Sequence, residues 1–244
     1  MARLLKSSRT DSSNSCDEGL TLIECLVAIV MVGLVMGTVT PALVISTATR
    51  LQSQRTEQAL RVAQAEIDQV RTIVERGTYS VTDLPQSTTA AISETRTLPG
   101  TSRQYLIEYP DRVAGPNTSN LRGASTAYTG LGPFDARQVD IDGDGNADLA
   151  VQVYRSPGRR NPTSSVPVNF AMGVRVYDIS AFETNSGTLL TDQTRGGITG
   201  GEGDRGRLPL AVLYTSISKG DAGNSYCDYF NYLGSTPSAS FQCD

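Results

Sequence analysis

The sequence predicts an α+β chain: a long N-terminal helix, half membrane-spanning and half amphipathic, packed on an antiparallel β-sheet. Three observations carry this expectation. An apolar run over residues 20–39, LTLIECLVAIVMVGLVMGTV, holds a single charge, Glu24. A helical stripe follows, with Leu60, Ala63, Ile67, Val70 and Val74 recurring at spacings of three and four. Strand-like runs rich in Val, Ile, Leu and Tyr then fill the C-terminal part, each bounded by Gly, Pro or Asp.

At a rise of 1.5 Å per residue, residues 20–39 span about 30 Å, the thickness of a bilayer's hydrocarbon core. Arg3, Lys6 and Arg9 precede the run and predict a cytoplasmic N-terminus with the C-terminal part exported. The buried helix of a soluble core is the alternative. A carboxylate in such a segment costs about 2.5–3.5 kcal/mol at mid-bilayer, so Glu24 is expected to have a use. A secretory signal would be cut after its apolar stretch. Here the small residue, Gly19, comes before it, and a cut there leaves the helix on the mature chain. Pro41 removes one helical hydrogen bond and predicts a kink near the membrane exit. Gly33 and Gly37 form a small-xxx-small pair that permits close helix approach; an incidental match is the alternative.

The join Asp17-Glu18-Gly19-Leu20, followed by Thr21-Leu22-Ile23-Glu24, the apolar run and Pro41, resembles the class III signal of type IV pilins and pseudopilins. The resemblance implies that a prepilin peptidase cuts between Gly19 and Leu20 and that the new Leu20 amine is methylated. It places Glu24 at the fifth mature position, where the family has glutamate. It further implies that Glu24 pairs with the Leu20 amine of its own or a neighbouring subunit, setting axial register during assembly, and that Pro41 is the family's helix-bending proline. Asp17 and Glu18 depart from the pattern, which often has a basic residue beside the cut. The implied partners are other pilin subunits, the prepilin peptidase, an inner-membrane assembly platform and the membrane. The implied location is the inner membrane, single-pass with a cytoplasmic N-terminus, and then an extracellular or periplasmic filament. The segments RVAQAEIDQVRTIVERGTYS, DIDGDGNADLAVQVYRS and FAMGVRVYDIS are similar to cyanobacterial minor pilins or pseudopilins linked to hormogonium polysaccharide secretion.

The expected organisation is a leader over 1–19, a helix over 20–77 and an exported β-rich domain over 78–244. The helix ends near Arg76, where Arg71 and Arg76 suit the negative end of the dipole and Gly77 supplies a stop. Gln64, Glu66, Asp68, Gln69, Arg71 and Glu75 lie off the stripe and are read as its polar side. The stripe lasts about two heptads, so it is expected to dock on the chain's own sheet rather than form a coiled-coil seam. Residues 78–99, Ser/Thr-rich with Pro85 and Pro99, read as a connecting loop. Strands are expected at 103–109, 138–141, 149–155, 170–178 and 208–218. Alternation at Leu149-Val151-Val153 and Val174-Val176 predicts one face buried against the helix. Residues 114–132, 156–167 and 184–206 read as long surface loops.

Net charge is −4 with a pI near 5.0, which argues against binding nucleic acid through its phosphates. The absence of His removes Ser-His-Asp and Cys-His machinery and imidazole metal ligands, and no enzymatic activity is expected. Cys16 falls in the leader and Cys25 in the apolar helix. Cys227 and Cys243 fall in the exported part, where an oxidising compartment favours a disulfide closing a C-terminal loop, worth roughly 3 kcal/mol; two free thiols are the alternative.

The sharpest chemical pattern is DIDGDGNAD. Asp140, Asp142, Asp144 and Asp148 take positions one, three, five and nine of an EF-hand-type loop, with Gly145 at six and Asn146, through its carbonyl, at seven. Val151 stands at position twelve instead of a bidentate Glu, which excludes a helix-loop-helix EF-hand and leaves a short Asp-rich loop between strands. A structural Ca2+ is the expected ion, since crowded carboxylates repel without one. A solvated hairpin turn at Asp144-Gly145 is the alternative. A G-x-G-x-x-G match at 201–206 follows no strand and carries Glu202 and Asp204, which repel a pyrophosphate, so it reads as a loop. The function expected is a structural filament subunit, a minor pilin or pseudopilin; the alternative is a calcium-dependent adhesin or glycan-binding module on a pilin stem.

Overall fold

The computed structural model describes residues 21–88, 92–97, 99–100, 104–160, 166–194 and 206–220. The leader, Gly19, Leu20, Cys227, Cys243 and residues 201–205 lie outside the described residues. The chain divides into two compact units, Met1–Thr49 and Arg50–Asp244. One helix, α1 (Leu22–Glu75), contributes to both.

In the first unit, α1 starts where the Thr21 carbonyl accepts from the Glu24 and Cys25 amides. Residues 21–49 are all exposed. The most apolar 18-residue window of α1 has a mean hydropathy of 2.5, with none of it buried, so this helix is long and apolar enough to cross a membrane. Pro41 lies inside α1, which stays helical through it; its missing N–H removes the donor for the Gly37 carbonyl. The hydroxyls of Thr38, Thr40, Thr47 and Thr49 donate back to the carbonyls of Val35, Met36, Val44 and Ile45, so these polar groups are met inside the helix.

In the second unit, a six-stranded sheet runs β3 (Leu121–Arg122), β4 (Ala136–Val139), β5 (Leu149–Arg155), β7 (Pro167–Asp178) and β6 (Arg159–Arg160), with β8 (Ala211–Ser218) also paired to β7. A separate antiparallel hairpin joins β1 (Ser93–Thr97) to β2 (Gln104–Glu108). A short helix, α2 (Ser180–Thr184), follows β7. The pairs Val151↔Val176, Val153↔Val174 and Val174↔Leu213 align the apolar positions of β5, β7 and β8. That face forms one core with Ala59, Ala63, Ile67, Val70 and Val74 of α1, as the stripe predicts. Leu60, expected in the stripe, is 37% exposed, and Ala59 takes its place because a small residue lets the helix approach the sheet.

Several expectations are corrected. The sheet is not wholly antiparallel: β3 and β4 run parallel, because residues 123–135 loop back and return the chain in its original direction. The hairpin strand β1 lies within the stretch read as a loop; its sequence, SETRT, lacks apolar alternation, and its register comes from β2. Residues 78–88 also hold a 3-10 turn at Val81–Asp83, closed by the Ser80 amide donating to Asp83. The short strands β3 and β6 likewise fall in predicted loops. The remaining strands shift by one to three positions at an end, except β5, whose bounds match.

The sheet is also buried on both faces rather than one. Every residue of β5 is buried. On the face away from α1, Ala150 and Tyr177 pack with Ala181, Phe182 and Leu189. Arg175, fully buried, donates to the carbonyls of Asp111 and Val113 and to the Gln152 side chain. Gln152 in turn donates to the carbonyls of Ala114 and Pro133. Loop carbonyls thus meet the polar side chains that made this face look solvent-facing in the sequence.

Candidate functional site

Two places carry the residues singled out in the sequence. One is the connection between β4 and β5, residues 140–148, which starts beyond the last ladder pair, Val139↔Leu149. It is longer than a two-residue turn and is built by its own aspartates. Asp140 accepts from the Gly143 amide at 2.6 Å and the Gly145 amide at 2.8 Å. Asp142 accepts from the Asp144 amide at 3.1 Å, and Asp148 from the Ile141 amide at 2.9 Å. Gly143 and Gly145 have φ of 79° and 90°, the left-handed region that a side chain disfavours.

One carboxylate oxygen each from Asp140, Asp142 and Asp148 converges within 4.8 Å. Such a group of hard oxygens could hold a metal ion. Asp144 is not in this group. Its carboxylate accepts from the Asn146 amide at 2.7 Å and the Asn146 side chain at 3.1 Å, and these two bonds hold it below the usual carboxylate range. Val151, at the twelfth position, is buried in the core against α1.

The other place is the start of α1. Glu24 lies in its first turn and is exposed. Among the described residues its carboxylate has no hydrogen-bonding or ionic partner. The surface around it is apolar, with Leu22, Ile23, Leu26 and Val27 each at least half exposed. Gly33 and Gly37 have open space where a Cβ would stand.

The structure adds a polar cluster that the sequence reading missed. Glu66 is 5% exposed and sits within the core face of α1. It accepts from the Tyr128 hydroxyl at 3.0 Å and forms an ion pair with Arg137 of β4. Arg137 also donates to the Ser125 carbonyl and lies over the Tyr128 ring. Burial, followed by the neighbouring Glu66 charge, raises the Tyr128 phenol well above its ordinary value. The signal was present: Ala59, Ala63, Glu66 and Val70 are themselves spaced four, three and four apart. The ion pair joins α1 to the sheet.

No protein-family model, curated protein or solved structure matches the chain.

Proposed function

We propose that this chain is a structural subunit, a minor pilin or pseudopilin, of a type IV pilus or type II secretion-like filament serving polysaccharide secretion or motility. The observation that carries the reading is the first unit of α1: a fully exposed apolar helix whose lone charge, Glu24, stands at its start. Such a surface needs lipid or other helices to cover it. In this reading the helix first spans the inner membrane with its N-terminus in the cytoplasm. The peptidase cuts between Gly19 and Leu20. Glu24 then pairs with a Leu20 amine, because a charge in an apolar surround is far less costly when paired. In the filament, helix–helix contacts replace lipid.

Two measurements test it. Intact mass of the membrane-extracted chain, with and without the peptidase, reads the cut, the methyl group and the Cys227–Cys243 bridge together; a mature chain that still began at Met1 would sink the reading. Glu24→Ala is expected to stay in the membrane and to be lost from purified filaments. Equal incorporation of variant and wild type would remove the role given to Glu24.

The converging Asp140, Asp142 and Asp148 carboxylates favour a second reading, in which Ca2+ organises the β4–β5 loop and the exported domain binds a glycan. Calcium-dependent retention of the full chain on a polysaccharide would support this reading, and retention unchanged by chelator would oppose it.

A further inference from the structure

Among the described residues, three arginines are buried on the sheet: Arg137 at 5%, Arg155 at 2% and Arg175 at 0% exposure. A buried cation is costly unless its charge and its donors are met. Arg137 meets the Glu66 carboxylate. Arg175 is ringed by acceptors: the carbonyls of Asp111 and Val113, the Gln152 side chain and the Tyr214 hydroxyl. Arg155 has neither. One of its terminal nitrogens donates to the Ser156 carbonyl at 3.0 Å and, weakly, to the Pro157 carbonyl at 3.5 Å. Its Nε is buried without a hydrogen bond among the described residues. Among the described residues no carboxylate lies within ion-pair reach. The Phe170 ring lies 5.7 Å from the guanidinium, a weak cation–π contact.

The surroundings are cationic rather than compensating. Burial first, and then repulsion from Arg160, lower Arg155 to about 10, with Tyr79 acting in the opposite sense. Arg155 is nevertheless held in place by backbone. The segment through Ser87 pairs in parallel with it, its own amide donating to the Gln86 carbonyl and its carbonyl accepting from the Thr88 amide.

Arg155 lines a cavity of about 120 Å³ together with Thr82, Gln86, Ser87, Tyr128 and Thr129. Among the described residues, no Asp or Glu lines it. Among the described residues the Ser87 hydroxyl makes no hydrogen bond, and the Thr129 hydroxyl makes only a long one, donating to the Thr82 carbonyl at 3.4 Å. A buried cation without an anionic partner, beside one unbonded and one weakly bonded hydroxyl, matches an oxygen-rich anion, which offers both negative charge and acceptors.

We propose that this cavity binds one small oxyanion (phosphate, sulfate or a carboxylate), with Arg155 as its charge partner and Ser87 and Thr129 as neutral donors. The inference is independent of the filament reading. The test is calorimetric titration of the full chain in detergent with inorganic phosphate, sulfate and acetate, against chloride at fixed ionic strength. Saturable one-site binding of at least one of the three is expected, weakened about tenfold or more in Arg155→Gln and measurably in Ser87→Ala. A preference for phosphate or sulfate assigns a tetrahedral anion, and a preference for acetate a carboxylate. No saturable binding of any of them, or undiminished affinity in Arg155→Gln, would overturn the proposal. Should Arg155→Gln not fold, Ser87→Ala and Thr129→Val decide it, and wild-type affinity in both would overturn it.

Discussion

The Glu66 carboxylate of α1 takes a hydrogen bond from the Arg137 guanidinium of β4 across 71 positions of sequence, in a setting where both side chains are nearly inaccessible. This pair, completed by the Tyr128 hydroxyl, fixes the rotation of α1 on the sheet, because a turn of the helix in either direction would leave a buried charge alone.

Removing one partner of such a pair strands the other. Glu66→Ala and Arg137→Ala are each expected to destabilise the fold by about 3–5 kcal/mol, whereas Glu66→Leu combined with Arg137→Met should recover much of the loss. Urea unfolding of the full chain in detergent, followed by circular dichroism, measures both effects. Single variants within about 1 kcal/mol of wild type would mean that the pair does not anchor the helix.

In the proposed calcium reading, the aspartates of the acidic loop take two roles. Asp140→Asn and Asp148→Asn should each weaken Ca2+ binding by about tenfold or more. Asp144→Asn should weaken it less, since the Asp144 carboxylate lies outside the converging group. At a hundredfold excess over its dissociation constant, Ca2+ is expected to stabilise the chain by about 2.7 kcal/mol. Thermal unfolding with Ca2+ or chelator reads all of this. Identical losses from the three variants would contradict the division of roles.

Tyr128, Tyr154 and Tyr177 predict loss of stability in alkali. Burial is the main cause that raises each phenol above its ordinary value of 10.0. Above that pH the unfolded chain releases these protons while the folded chain keeps them. The unfolded state therefore binds fewer protons, and stability falls by about 1.4 kcal/mol per pH unit for each phenol. Tyr128 faces Glu66 and Arg137, while Tyr154 and Tyr177 face Arg175 and Tyr214. Arg155 acts in the opposite sense: its folded value is lowered to about 10, so its penalty eases as pH rises. Three phenols against one guanidinium leave a net decline. A shallower decline in Tyr128→Phe, measured by unfolding from pH 9 to 11 (on the order of one unit either side of the phenol value), checks the assignment.

Gly173 is fixed by space. A Cβ there would stand 2.5 Å from the Tyr154 ring, whose hydroxyl is held by the Pro110 carbonyl at 2.8 Å. Gly173→Ala is expected to cost about 1–3 kcal/mol by overpacking. Gly173→Ala with Tyr154→Leu should cost less than the sum of the two single changes. Strict additivity in that cycle would show that the two sites do not touch.

Much of the fold was legible from the chain alone where its signal is local. The apolar run, the α1 stripe and the bounds of β5 come from residue spacing within a few turns or one strand. The run of aspartates and glycines in the β4–β5 loop is equally local, since most of its hydrogen bonds reach five positions or fewer. The polar strand β1 was not legible, because only pairing with β2 makes SETRT a strand. The parallel β3–β4 pair was hidden for a similar reason: it depends on the path of the intervening loop.

The sequence by itself determined where the helix begins to be apolar, which of its positions could face a sheet, and that four aspartates share one turn of chain. The tertiary structure alone decided which three of them converge. It also decided that Glu66 meets Arg137 and that Arg175 is ringed by acceptors, while the Arg155 Nε is left without one among the described residues. Periodicity is a property of neighbours along the chain and can be read from spacing. A buried charge depends on groups brought from distant segments, and its partner exists only once the backbone has closed around it.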